Sequence, residues 1–181
     1  MFNDYALNPA IGGTHDYWQI RSNYRQQYAG LEGGGGPQTY MLGAYGPHKT
    51  MPMGYGGYIF NDVTGGGTVS NLGMYGSYAY SIRISGDIRL SMGLSLGVIQ
   101  SKVDLSVLDE EDPVRAYSEA TPSKIIPDGT LGFYLYTSQY FFGFAFNHMF
   151  FNNTTVLKDY VDTETNETVN LDEARIKPYF N

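Results

Sequence analysis

The chain has 181 residues, one domain's worth, with 11 Lys and Arg against 18 Asp and Glu, a net charge of −7 and a pI near 4.8. That balance excludes a general nucleic-acid binder, which draws its affinity from Lys and Arg on phosphates, and the absence of cysteine excludes a disulfide scaffold, a thiolate metal site and a cysteine nucleophile. Only 16% of residues are charged, so the surface is short of the groups that normally meet water, while 17 Tyr are too many for a disordered chain.

In chain order, the opening MFNDYALNPAIGG shows no basic start, apolar core or cleavage site of a secretory signal. Period-two alternation begins at 16–28, where Trp18, Ile20 and Tyr24 lie opposite Gln19, Arg21, Asn23 and Arg25. Weaker strands are predicted at 37–46 and 53–62. At 69–83, Leu72, Met74, Tyr78, Tyr80 and Ile82 oppose Asn71, Ser77, Ser81 and Arg83. The clearest strand is 87–103, in which Ile88, Leu90, Met92, Leu94, Leu96 and Val98 alternate with Arg89, Ser91, Gly93, Ser95 and Gly97. Soluble strands average about 5–6 residues, whereas a tilted strand needs ~9–11 to cross a bilayer, and this run has the second length. Residues 129–157 carry no charge, but Thr137, Ser138 and Gln139 split them, and their aromatics and glycines suit a hairpin of 129–136 and 140–150 better than a helix. No apolar run approaches the ~18 residues of a spanning helix.

The connections alternate between short turns and longer loops, the layout of an outer-membrane barrel with short periplasmic turns. Thirteen of the 18 acids fall in 104–128 and 158–175. These stretches belong to two long acidic outer loops expected near 104–128 and 151–173. The strands themselves are nearly charge-free, and Arg21, Arg25, Arg83 and Arg89 all fall on polar faces. A lipid-facing arginine would cost roughly 2–4 kcal/mol at the bilayer midplane. The expected fold is therefore all-β: a single domain over 1–181, an antiparallel transmembrane β-barrel of the outer-membrane type. A soluble β-sandwich adhesin shares the alternation, with its apolar face turned to a core instead of lipid.

Catalytic and metal motifs are missing. His15, His48 and His148 have neither ligand spacing nor a cysteine partner, no G-x-S-x-G elbow exists, and glycines 33–36 lack the lysine of a phosphate-binding loop. The run Asp109, Glu110, Glu111, Asp112 lacks the alternating ligands and central glycine of a calcium loop. No enzyme activity and no cofactor are expected. The one candidate constellation is lumen-facing: Arg21, Arg25, Arg83 and Arg89 could contact a partner or a plug, or pair internally with Asp62, Asp87 or tyrosine hydroxyls.

Met1-Phe2-Asn3 followed by Asn8-Pro9-Ala10-Ile11-Gly12 resembles the start of the PorP/SprF family of Bacteroidetes outer-membrane proteins. Tyr24-Arg25-Gln26-Gln27-Tyr28 is similar to a family segment that ends in tryptophan, and Pro37-Gln38-Thr39 to its Pro-x-Thr. The glycine-rich 53–61, the tyrosines Tyr78 and Tyr80 and the strand from Leu94 to Val98 follow in the family's order. The resemblance implies an outer-membrane barrel, with this chain covering roughly half of it, preceded by a signal peptide and continuing beyond Phe180. It also implies a role in type IX secretion and gliding-associated adhesin export, with type IX components or a secreted adhesin as protein partners and outer-membrane lipid around the wall. A passive porin is the competing expectation.

Overall fold

A computed structural model of the protein describes residues 3–28, 30, 36–104 and 123–150, and the backbone of 160–161, 168–169 and 179–180. Seven strands follow one another: β1 (Gln19–Gln26), β2 (Gln38–Pro47), β3 (Met53–Thr64), β4 (Val69–Ser85), β5 (Ile88–Val103), β6 (Ser123–Tyr136) and β7 (Phe141–Asn147). Each pairs antiparallel with the next, so sequence order is sheet order, and the sheet curves into a half-barrel. Two-residue strands β8 (Tyr160–Val161) and β9 (Thr168–Val169) pair with each other, and β10 (Tyr179–Phe180) pairs with the end of β7. Among the described residues no helix is long and apolar enough to cross a membrane.

The strands form where alternation predicts them, with two informative differences at their ends. β6 starts at Ser123, six residues before the expected 129, so Asp128 and Lys124 belong to the wall. Pro127 interrupts the sequence pattern, yet it stays in β6, level with Val98 of β5. At the other end β7 stops at Asn147, because His148 takes a left-handed backbone (φ 55°) that ends the pleat. The remainder of the acidic loops expected at 104–128 and 151–173 lies largely outside the described residues.

Alternation sorts the side chains onto two faces. Leu72, Met74, Leu94, Leu96, Val98, Ile125, Phe133 and Phe144 are all exposed and share the convex side. From Leu72 to Ile82 the apolar face runs roughly 33 Å along β4, which a tilt of about 45° reduces to the ~25 Å height of a barrel's lipid-facing band. The concave face carries Ser91, Ser95, Tyr75, Ala79, Asp128 and Thr130, all buried. Large apolar side chains outside and small or polar ones inside is the inverse of a soluble sandwich, whose apolar face would be the covered one.

Candidate functional site

The concave face is covered by the chain's own beginning. After one helical turn, α1 (Asp4–Leu7), the Asn8 side chain accepts a hydrogen bond from Ala10 N at 3.0 Å and Pro9 takes the first position of a 3₁₀ turn, Pro9–Gly13. These residues form a strap that lies across the strands. β1 starts beside the end of β2, next to the β2–β3 turn, so the strap enters the half-barrel from the short-turn end.

The wall is shaped to receive it. Gly54, Ala79, Gly93, Gly132 and Ala145 are successive cross-strand partners from β3 to β7, one inward row of small residues. A Cβ on Gly54 would overlap the backbone of Gly12 and Gly13, one on Gly93 the backbone of Pro9 and Ala10, and one on Gly132 the Asn8 side chain. Backbone therefore meets backbone at Gly54 and Gly93, where only glycine permits it, while Ala79 and Ala145 keep the rest of the row small. Polar groups then fix the strap's position. Ser91 Oγ donates to the Ala10 carbonyl at 2.6 Å, and Asn8 Nδ2 donates to the carbonyls of Phe133 at 3.0 Å and Phe144 at 3.4 Å. Pro9, Ala10, Ile11 and Gly12 are buried as a result.

Tyr5 continues the contact further into the lumen. Its ring stacks on Tyr45 (centroids 4.1 Å apart) and meets the edge of Tyr58 at 6.0 Å, and its hydroxyl bonds to Ser77 Oγ. Burial raises the Tyr5 phenol above its usual pKa, which favours its neutral form. Tyr58 stacks in turn on Tyr75 at 4.9 Å, and Tyr75 donates to Asp128 Oδ2 at 2.6 Å, where His148 Nδ1 also lies 2.9 Å away. A cavity of about 440 Å³ remains between the strap and the two flanks of the half-barrel. It is lined by Leu7 and Ile11 from the strap, Arg21 from β1, and Tyr134, Phe141 and Ala145 from β6 and β7.

The four arginines all sit at inward positions but do not form one cluster. Arg83 and Arg89 are direct cross-strand partners near the short β4–β5 turn. Arg21 is level with Gly43, Tyr58 and Tyr75, mid-wall, where its Nε and Nη2 donate to Gln19 Oε1 at 3.2 and 3.0 Å and its guanidinium stands 5.8 Å from the Tyr45 ring centre. Arg25 lies at the long-loop end opposite Thr39, whose hydroxyl donates to Asp62 Oδ1 at 2.6 Å. Among the described residues, none of the four makes an ion pair with Asp62 or Asp87. His48 Nδ1 accepts from Thr50 N and Met51 N in the β2–β3 turn, and the described residues hold no group of three metal-ligating side chains.

Sequence reasoning assigned no structural role to Tyr5 or to residues 8–13, and it placed Asp128 in a loop. The signal available for the strap was the glycine or alanine at a matching register in each strand from β3 to β7, which reads as a merely small face until the strands are paired. Comparison with curated proteins and with solved structures gave no match. The family model described as type IX secretion system membrane protein PorP/SprF matches residues 1–175, almost the whole chain. With its exposed convex apolar face, antiparallel half-barrel and strap, the chain belongs to the PorP/SprF family of type IX secretion system membrane proteins.

Proposed function

We propose that the protein is an outer-membrane component of the type IX secretion system that acts by binding other proteins, in the export or surface anchoring of secreted proteins such as adhesins. Family membership supports the secretion role. The observation that carries protein binding over passive solute conduction is the strap, which buries Pro9 to Gly12 against five strands where a channel would need water. The work then falls to the ends of the barrel: the loops on one side, and the short turns with the strap on the other. Outer-membrane lipid meets the convex face. Of the candidate residues, Arg25 faces partners at the long-loop end, while Arg21 borders the cavity beside the strap and contacts the plug side of the lumen.

The test is membrane fractionation of the full gene product with co-purification of its partners. The expected result is heat-modifiable migration in the outer-membrane fraction, with a secreted protein or translocon component bound. Outer-membrane recovery without any partner, together with solute flux in liposomes, would replace this reading by the porin, and a product soluble without detergent would overturn the barrel.

A further inference from the structure

We infer that the short-turn mouth of the half-barrel is a docking site for an acidic, apolar-ended protein segment, recognised by one inward row of side chains. Arg83, Arg89, Tyr136 and Phe141 are successive cross-strand partners on β4, β5, β6 and β7. Two like charges directly opposite each other destabilise a sheet unless something compensates them. Arg83 and Arg89 are both exposed, and neither meets a carboxylate among the described residues. Asp87 in the β4–β5 turn, Asp16 before β1 and Asp4, which lines the cavity beside Tyr134 and Phe141, are acids described nearby, against Lys49 in the β2–β3 turn and Arg21 at the cavity as further bases. The other half of the row is aromatic. Phe141 is 75% exposed, although its inward position turns it away from lipid, and it packs 5.9 Å from Tyr134, which lies 5.6 Å from Tyr136. Arginine beside exposed tyrosine and phenylalanine is the composition of a protein-binding hot spot.

The geometry narrows the occupant. Three strand spacings of about 4.8 Å put Arg83 roughly 14 Å from Phe141 along the row, which four or five extended residues would span. Phe141 and Tyr134 also line the 440 Å³ cavity with Leu7 and Ile11, so an apolar side chain past the acidic residues has a place to go. Anionic lipid fits less well, because the row is on the opposite face of the wall from the apolar band. The inference rests on the outer-membrane reading, in which short turns are periplasmic. It names a periplasmic segment as the occupant.

The full chain, refolded in detergent, is titrated with a fluorescent peptide Glu-Glu-Gly-Leu-Phe, its Lys-Lys counterpart, and vesicles containing phosphatidylglycerol. Wild type binds the acidic peptide at least tenfold more tightly than the basic one, in a salt-sensitive manner. Arg83→Glu with Arg89→Glu reduces that binding at least tenfold and Phe141→Ala severalfold, while Lys102→Glu, at the far end of β5, changes it less than twofold. Equal loss with Lys102→Glu, no preference for the acidic peptide, or binding to vesicles alone would overturn the inference. Heat-modifiable migration of each variant reports folding separately. Fractionation of wild type tests the barrel reading independently, so a correctly localised protein that ignores the peptide defeats this inference alone.

Discussion

The two faces of the same strands follow opposite rules. On the convex side Leu94, Leu96 and Met74 stand 41%, 51% and 61% exposed with no fixed neighbour to match, and under the proposed outer-membrane reading, where this face meets fluid lipid, any apolar side chain of suitable size would do. On the concave side Gly54 and Gly93 face the strap's backbone and Gly132 the Asn8 side chain, and no other residue fits without displacing them. Tolerance outside and close fit inside follow from what each face touches, since neither hydropathy nor strand propensity distinguishes a glycine in contact with a strap from a glycine facing water.

The contrast can be broken by exchanging the rules. The largest effect is expected from a charge on the tolerant face: Leu94→Arg costs about 2–4 kcal/mol if that face meets the bilayer midplane, measured by urea unfolding in lipid vesicles, and a cost below 1 kcal/mol would remove Leu94 from the lipid band. Gly93→Val, one residue earlier on the fitted face, costs about 1–3 kcal/mol by overpacking and also loosens the strap, read as faster proteolysis near residue 10 in the folded protein. Gly76→Ala provides a paired control. It turns to the convex face, where an added Cβ meets nothing within 4 Å, and is expected to leave proteolysis unchanged. Asn8→Ala loses the cap on Ala10 and the donors to Phe133 and Phe144, an expected 1 to about 2 kcal/mol. Ser91→Ala removes one bond to the Ala10 carbonyl and sharpens the comparison least, at about 1 kcal/mol. A Ser91→Ala effect larger than that of Asn8→Ala would mean that the strap is anchored at its middle and not at its start.

What the sequence makes legible follows from the same division. The convex face repeats large aliphatics at period two, and the strands over 87–103 and 69–83 can be located from that repetition alone. The strap has no period to find: one helical turn and one 3₁₀ turn are too short for a hydrophobic pattern, and their contacts lie 81 residues away at Ser91 and 125 at Phe133. The resemblance of Asn8 to Gly12 to a family start marked those residues without indicating where they fold. Asp128 was misplaced for a different reason. Pro127 and the neighbouring acids look like a loop, and only pairing with β5 reveals that Asp128 turns inward to Tyr75 and His148. The separation of the four arginines into a mouth pair and two others depends on register, which a single strand does not encode.

The strap also constrains the order of assembly. Residues 8–13 precede the seven described strands of the wall, yet their seat is built from β3 to β7, and Asn8 reaches carbonyls on both β6 and β7. Contacts of such long sequence separation form late, after the loop entropy between them has been overcome. The leading segment must therefore stay unengaged while five strands pair behind it, during which time it is open to chaperones and proteases. Its docking then reports that the sheet beneath it is complete.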